Sequence, residues 1–373
     1  MRQITVIMKP TSECNLRCRY CYHANTDYET GIMTEEVLDA IISKVQSEYN
    51  DIVYVWHGGE PLLCGLDFFR KALQLEHKYI RDPMRIRNCI QTNGILLSKE
   101  VLQFCLENRI SVTVSLDGPG KLNGCRQQTD QVERNLEKAR ESGVPISMLS
   151  VINRYNVDHM IEIYRYAQER SIPLKMNPVF KVNAADHEEY LIDSATYVKN
   201  FQKLFDYWLC DSKATGNIEP IMQFLRMYFE KKGTECIYGS CLYHWISFMQ
   251  DGSIYPCGRT YPLKYQLGNI TEVSDIQQVF ETEVYRELTI ASILRRQHCA
   301  EQCSYFGICN GGCNSSCLVD DNLTVPNPEN CEIFQGCYGY VCAKLDDLRC
   351  TTAWNTENVV VLGMLREFMS TKD

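Results

Sequence analysis

The stretch TSECNLRCRYCYH, residues 11–23, sets Cys14, Cys18 and Cys21 at spacings of four and three residues, with Tyr20 and Tyr22 on either side of the last thiol. It follows directly on ITVIMKP (4–10), an alternating, β-branched run of strand type. A closed tetrahedral metal site takes four protein ligands, so three thiols at the end of a strand describe a site left open on one side. On a 4Fe–4S cluster they would leave one iron without a protein ligand and able to bind a small molecule. On spacing alone, a zinc site completed by His23 is the alternative.

The same rhythm continues to about residue 210. Strand-type runs recur at IVYVWHGGE (52–60), RNCIQTNG (87–94), ISVTVSLD (110–117), ISMLSVI (146–152) and LKMNPVF (174–180). Between them lie helix-type stretches such as TEEVLDAIISKVQSEY (34–49), LDFFRKALQLEHKYI (66–80) and VDHMIEIYRYAQER (157–170), the first opening on Thr34 as its cap. Such units in succession imply parallel strands with right-handed crossovers. Strands apolar on both faces imply a sheet covered on both sides, either doubly wound or closed into a barrel or partial barrel. The three thiols then sit at the carboxyl end of the first strand, where ligand-binding loops of such folds collect.

Composition narrows the function. The chain has 373 residues, a net charge of -9 and 20 cysteines. That charge leaves no electrostatic footprint for nucleic acid. The first ten residues lack a signal peptide's apolar run, and no stretch is apolar and long enough to span a membrane, so the sequence reads as cytoplasmic. A reducing compartment argues against a disulfide framework and leaves metal as the reason for clustered thiols. Twelve of the cysteines fall between Cys236 and Cys350, in a region with few long apolar runs, which is expected to be held by something other than a large core. The expected division is 1–225, 226–350 and a closing helix within 351–373.

CxxxCxxC after the first strand, GGEP (58–61) after the second, QTNG (91–94) after the third and SLDGP (115–119) after the fourth together resemble the radical SAM (S-adenosylmethionine) superfamily. More closely, the chain is similar to the branch with an iron–sulfur-rich C-terminal SPASM domain, which includes anaerobic sulfatase-maturating enzymes and ribosomal-peptide maturases. The resemblance implies a partial (β/α)6 TIM-like barrel followed by that SPASM domain. It implies a cluster on Cys14, Cys18 and Cys21 whose open iron chelates SAM, with one electron releasing a 5′-deoxyadenosyl radical. Gly58 and Gly59 would let backbone approach the methionine moiety, and Glu60 would accept from its ammonium group. Ser115 and either Arg126 or Arg134 would hold the ribose or carboxylate. Tyr20 and Tyr22 would pack the adenine, with Leu149 closing the pocket.

CLYHWISFMQDGSIYPC (241–257) is similar to the SPASM hairpin with its Asp-Gly turn, and Cys299, Cys303, Cys309 and Cys313 follow at C-x3-C-x5-C-x3-C, one residue longer at the start than the family pattern. By resemblance, Cys236, Cys241, Cys257 and Cys313 hold one auxiliary 4Fe–4S cluster and Cys299, Cys303, Cys309 and Cys331 a second, making three clusters with the first. Cys317, Cys337, Cys342 and Cys350 are surplus, and Cys337 is the swap expected for Cys331; paired zinc sites are the alternative for the whole region. In sulfatase maturases an aspartate follows the last hairpin cysteine and acts as base. Here Gly258 stands in that place, next to Arg259.

The expected activity is therefore oxidation of a peptide or protein side chain to a thioether or carbon–carbon cross-link, with a flavodoxin- or ferredoxin-type electron donor. A sulfatase maturase, a dehydrogenase of a small metabolite and a non-catalytic zinc or iron–sulfur protein are the alternatives. Tyr22 and His57 are candidate proton acceptors, Arg259 a candidate substrate contact, and the carboxylates at 186–189 a solvated run near the expected substrate entrance. A leader-binding domain before the first strand is not expected.

Overall fold

The computed structural model describes residues 2–22, 31–179, 185–231, 233, 235–238, 241–259, 263–317, 322–350 and 356–370. The chain forms two compact units: Met1–Ser115 with Gly124–Ile146 and Ser240–Ile293, and Leu116–Asn123 with Ser147–Gly239 and Leu294–Asp373.

The first unit carries β1 (Gln3–Met8), α1 (Glu35–Glu48), β2 (Asp51–Trp56), α2 (Gly65–Lys78), β3 (Arg85–Thr92), α3 (Lys99–Glu107), β4 (Ser111–Ser115) and α4 (Thr129–Ser142). β1 pairs with β2, β2 with β3 and β3 with β4, all parallel, as the alternation of elements requires. Thr34 caps α1 by accepting from Val37 N at 3.3 Å, and the helix buries Val37, Leu38, Ile41, Ile42 and Val45. Each such side chain contributes roughly 1.5–3 kcal/mol on burial. Trp56, at the end of β2, meets Phe68 and Phe69 edge-on and donates its indole N–H to Asn88 Oδ1 at 2.8 Å, so this large side chain is buried without an orphaned donor. β2 buries every second residue and leaves the alternate ones partly accessible, so its strands are less fully covered than their apolar composition implies.

Sequence periodicity does not reveal what flanks β1 on its other side. The unit continues with β8 (Trp245–Phe248), β9 (Ser253–Tyr255), β10 (Gly268–Asn269), α8 (Ile276–Phe280) and the start of α9 (Glu283–Gln302). β8 pairs with β1 in parallel and turns back as an antiparallel hairpin with β9. The expected Asp-Gly turn makes the hairpin: Gly252 has φ +85°, and Asp251 Oδ1 accepts from Ser253 N at 2.9 Å.

The second unit holds β5 (Ile146–Ile152), α5 (Met160–Glu169), β6 (Leu174–Pro178), α6 (Ser194–Leu209), β7 (Ile218–Glu219), α7 (Ile221–Glu230), α10 (Phe306–Cys309), α11 (Asn314–Cys317), α12 (Pro328–Cys350) and α13 (Val359–Ser370). β5, β6 and β7 are parallel. Asp117 organises the entry to β5: its Oδ1 accepts from Val151 N at 3.1 Å, and its carbonyl accepts from Ser150 Oγ and Asn156 Nδ2. The cysteine-rich segment departs from its expected character here. α12 buries Phe334, Tyr338, Val341, Leu345 and Leu348, and Phe334 packs against Phe224, Tyr238 and Tyr338 at centroid distances of 6.0, 5.2 and 5.4 Å. Residues 328–350 therefore supply an ordinary apolar core helix despite their thiols.

Candidate active site

The cysteine loop leaves β1 through Lys9 and Pro10 and is fastened to the end of β2. Gly59 N donates to Thr11 O at 3.1 Å and Glu60 N to Glu13 O at 2.8 Å. A Cβ on Gly59 would stand 2.0 Å from Glu13 O, and one on Gly58, whose φ is +118°, would stand 2.7 Å from Thr11 O. The two glycines are thus required by the close approach of the chain's own cysteine loop, where the family reading assigned the approach to methionine.

Glu60 is wholly buried and receives three hydrogen bonds: Leu62 N and Thr92 Oγ1 donate to Oε1 at 3.1 and 2.8 Å, and Asn93 N donates to Oε2 at 2.7 Å. Burial pushes its carboxyl up to about 7 against those three bonds. The carboxylate thus receives three of the protein's own donors, two on Oε1 and one on Oε2. Asn93 carries the connection onward, its Nδ2 donating to Asn15 Oδ1 at 2.7 Å and reaching Cys14 Sγ at 3.7 Å. Thr92 and Asn93 had no role in the sequence reading, although QTNG marked the place.

Cys14, Cys18 and Cys21 are all partly exposed. Leu16 N points at Cys14 Sγ at 3.5 Å, the Cys18 thiol faces Arg126 O at 3.8 Å, and Cys21 N donates to Cys18 O at 3.1 Å. Burial raises the Cys14 thiol, to which the charges of Glu60 and Cys21 add. Three accessible thiols on one loop, one already receiving a backbone N–H, fit a 4Fe–4S cluster with one iron left to a small ligand. His23 lies outside the described residues.

Around this loop, Arg126 places its guanidinium carbon 5.5 Å from the centre of the buried Tyr20 ring. Ser115 is buried at the end of β4, and Tyr22 is partly exposed. Arg134 is exposed on α4, its Nη2 donating to Gln131 Oε1 at 3.0 Å. Leu149 belongs to the other unit, on β5, with a partly accessible side chain. His57 donates its backbone N–H to Met8 O at 2.8 Å. Burial first, then the charges of Lys9 and Arg126, push its imidazole down to about 3, so the ring is neutral. Of the acidic run, Glu188 and Glu189 are exposed, while the side chain at 186 lies outside the described residues; Asp193 is a helix cap, accepting from Thr196 N at 2.7 Å. Lys9 is the residue that sequence reasoning passed over: it is 2 % exposed, and burial lowers its ammonium to about 8 against the opposing pull of Cys257 and Cys21.

Cys241 and Cys257 lie in the first unit, and Cys236 and Cys313 in the second. Arg259 N points at Cys257 Sγ at 3.4 Å, repeating the local geometry of Cys14 and Leu16. Between them Gly258 lies on Ile7: a Cβ there would be 2.8 Å from Ile7 Cγ2 and 3.0 Å from Cγ1. In the second unit Cys309 is pushed up to about 12, first by burial and then by the charges of Cys331, Cys299 and Cys303. Cys331 is pushed up to about 11 by burial and by Cys299, Cys303 and Cys317. These four thiols therefore share one neighbourhood. Cys337 is completely buried in the core of α12, and burial alone raises its thiol. Cys317 is the surplus thiol that stands beside the four, donating to Cys313 O at 3.3 Å. Arg295, also buried, donates to Gly311 O at 2.9 Å and Leu323 O at 2.7 Å; burial raises the neighbouring Cys299 and Cys317, and the Arg295 charge opposes that rise. Among the described residues no group of three or more His, Cys, Asp or Glu side chains closes on a single ion, and no helix is long and apolar enough to cross a membrane.

A parallel β/α fold that keeps a three-thiol loop accessible at the end of its first strand, with a second cysteine set elsewhere, defines an iron–sulfur enzyme with an open coordination position. Residues 8–167 match the model of the radical SAM superfamily, and residues 236–314 that of the SPASM iron–sulfur cluster-binding domain. The cysteine-type anaerobic sulfatase-maturating enzyme of Clostridium perfringens is 30% identical over 336 residues, which cover 84% of this chain and 89% of that enzyme. The solved structure of native anSMEcpe with bound AdoMet superposes with a TM-score of 0.83 at 27% identity, over 92% of this chain and 99% of that one. Streptococcus suis SuiB bound to S-adenosylmethionine shares the fold, with a TM-score of 0.66 at 17% identity over 88% and 77% of the two chains. The chain belongs to the radical SAM superfamily, in the SPASM-carrying family of the anaerobic sulfatase-maturating enzymes. Its partial-barrel fold and its use of 4Fe–4S clusters and S-adenosylmethionine follow from that membership.

Proposed function

We propose that this protein oxidises a side chain of a peptide or protein by a route that dispenses with the sulfatase-maturase aspartate, forming a thioether or carbon–carbon cross-link. The observation that carries this reading is Gly258, which has no side chain to act as base and lies against Ile7, so that no side chain fits there without displacement. A peptide as substrate is supported by the relative anSMEcpe, solved with a bound Cp18Cys peptide.

In this reading Cys14, Cys18 and Cys21 hold the SAM-binding cluster, while Cys236, Cys241, Cys257 and Cys313, and Cys299, Cys303, Cys309 and Cys331, hold the two auxiliary clusters. When bound, these groups supply a 5′-deoxyadenosyl radical and take up one electron. The substrate loses one hydrogen atom from carbon to that radical, then one proton and one electron, a net loss of two hydrogens as the new bond closes. A flavodoxin- or ferredoxin-type donor would supply the electron for S-adenosylmethionine cleavage, and the substrate's electron would pass to the auxiliary clusters. Tyr20, Ser115, Leu149 and Arg126 or Arg134 hold S-adenosylmethionine. Arg259 offers forked donors to a substrate carboxylate or peptide carbonyl. Tyr22, partly exposed beside Cys21, and the neutral imidazole of His57 are the candidate proton acceptors.

The family's named activity favours a second reading, formylglycine formation with a substitute base. Anaerobic incubation with S-adenosylmethionine, a reductant and peptides containing cysteine, threonine or tyrosine, read by mass spectrometry, separates the two. A cross-linked product two hydrogens lighter supports the first; formylglycine formed from a sulfatase-type peptide at a rate comparable to S-adenosylmethionine consumption overturns it.

A further inference from the structure

The loop between Cys309 and Cys313 runs through a backbone conformation that needs support from outside it. Asn310, Gly311 and Gly312 have φ of +56°, +86° and +73°, three successive residues in the left-handed region. Glycine enters that region readily, but the same freedom opens many other conformations to Gly311 and Gly312. The loop's own backbone ties it to the helix before it, Asn310 N donating to Phe306 O at 2.7 Å and Gly312 N to Cys309 O at 3.3 Å.

The further support comes from α9. Arg295 is 1 % exposed, and its three nitrogens reach three different residues: Nε donates to Gly311 O at 2.9 Å, Nη1 to Leu323 O at 2.7 Å and Nη2 to Asn314 Oδ1. The loop lies directly on the helix here, since a Cβ on Gly311 would stand 3.0 Å from Arg296 Cγ and 3.6 Å from Arg296 Cα. Cys299 follows Arg295 by one turn on the same face of α9 and is buried as well, and Cys303 N donates to Cys299 O at 2.9 Å one turn further on. Asn314 is the residue after Cys313, and Leu323 precedes α12, whose first turns carry Cys331. One guanidinium therefore joins the segment of Cys299 and Cys303 to the loop of Cys309 and Cys313 and to the approach to Cys331.

Burying an arginine against carbonyl and amide oxygens is costly, and an aliphatic side chain of similar volume would fill the space without that cost. An aliphatic residue could not hold three acceptors in fixed directions, which a planar fork of donors does. We propose that Arg295 is a positioning residue for the auxiliary clusters: its fork holds the Cys309–Cys313 loop and the approach to Cys331 against α9, so that loading requires rotation of the thiols and not rebuilding of the backbone. The inference rests on the cluster assignment made under the proposed function. Arg295 touches neither substrate nor the reacting atoms and acts through the backbone that carries the thiols, as outer-shell groups orient metal ligands.

The test is a chelator titration of anaerobically reconstituted protein, with the open-site cluster as internal control. Wild type, Arg295→Met and Arg295→Lys are titrated with a ferrous-iron chelator while bound iron, the electron paramagnetic resonance spectrum of the reduced clusters and S-adenosylmethionine cleavage are followed. In Arg295→Met the chelator concentration that removes half of the auxiliary iron falls about tenfold, the lower end of what loss of an outer-shell partner does to metal affinity. The auxiliary signals of the iron-loaded variant shift, while open-site iron and S-adenosylmethionine cleavage stay at the wild-type level. Arg295→Lys keeps the charge, loses the fork and follows Met. Full rescue by lysine would assign the role to charge, and wild-type chelator resistance in Met would mean that the loop holds without Arg295; either result overturns the proposal. So does an equal weakening of open-site and auxiliary iron, which marks a residue that serves stability at large. If Arg295→Met does not fold, Asn314→Ala removes one acceptor and keeps the arginine; it must weaken auxiliary iron alone, and Asn314→Asp, which restores the acceptor, must return it to the wild-type level. Failure of either overturns the proposal. A wild-type protein that holds iron only at the open site refutes the cluster assignment itself, and total iron reports this before any variant is compared.

Discussion

The loop of Cys14, Cys18 and Cys21 takes its shape from residues distant in sequence, whereas Cys299, Cys303, Cys309 and Cys331 stand on or between helices with an apolar core of their own. In the first unit Gly59, Glu60 and Asn93 fasten the loop through backbone and side-chain hydrogen bonds, and the thiols stay partly exposed. In the second, α9, α10 and α12 carry three of the thiols, and burial drives Cys309 and Cys331 toward the protonated form until a metal replaces the proton. Their buried cations differ as well: Arg295 donates to carbonyls that fix its own loop, and burial lowers the Lys9 ammonium to about 8. An open site cannot be held by its ligands alone, because one coordination position is reserved for a small molecule. Groups that never bind metal must supply the missing rigidity.

Removing the ligands breaks this comparison most severely. Cys14, Cys18 and Cys21 replaced together by alanine should cost about four of about twelve irons and abolish 5′-deoxyadenosine formation, leaving the other clusters in place. Cys331→Ala should cost about four irons from the second set and impair product formation more than S-adenosylmethionine cleavage. Cys337→Ala should keep all iron and lose only about 1–2 kcal/mol of core packing. Iron analysis after anaerobic reconstitution reads all three. Iron lost from Cys337→Ala and retained in Cys331→Ala would exchange their roles.

Glu60→Gln attacks the fastening rather than the ligands. The amide presents donors where Leu62 N, Thr92 Oγ1 and Asn93 N already donate, so at least one buried hydrogen bond is lost, worth about 1–3 kcal/mol. Loosening the cysteine loop should lower open-site iron and S-adenosylmethionine cleavage about tenfold while the iron of the second set stays unchanged. Equal iron loss from both sets would show that Glu60 supports the fold at large and not the loop.

Much of this was legible in the residues. Six strand runs and the Thr34 cap were readable because side-chain period and cap chemistry are local. The pairing of β8 with β1 was not, since nothing in four residues names a partner some 240 positions away in the chain. The three donors that reach Glu60 were not legible, because a motif identifies a position and not which groups of the chain converge on it. Lys9 was missed because a lysine at a strand end is ordinarily solvated, and only the convergence of Gly58 and the hairpin buries it. The core of α12 was obscured by its own thiols, which turned attention from Phe334, Tyr338, Val341 and Leu345 on the same helix.

The smallest expected effect concerns the hairpin end of the first unit, where restoring the family's aspartate should not restore its chemistry. Gly258→Asp introduces a Cβ 2.8 Å from Ile7 Cγ2, a branched side chain fixed in a strand and unable to swing aside. Overpacking of this kind costs about 1–3 kcal/mol. Ile7→Ala alone costs about 2–5 kcal/mol as a cavity, but it removes the atoms that obstruct residue 258. The double variant should therefore be more stable than the two single losses summed, with a coupling of about 1 kcal/mol or more between these touching positions. Thermal unfolding of the four iron-loaded proteins measures that coupling. The chemistry is read alongside: Gly258→Asp alone should yield no formylglycine from a sulfatase-type peptide, since the carboxylate is displaced from the place an unobstructed one would take. Formylglycine from the single variant, with no coupling to Ile7, would mean that the hairpin accommodates the side chain freely and that one residue separates this enzyme from the sulfatase route.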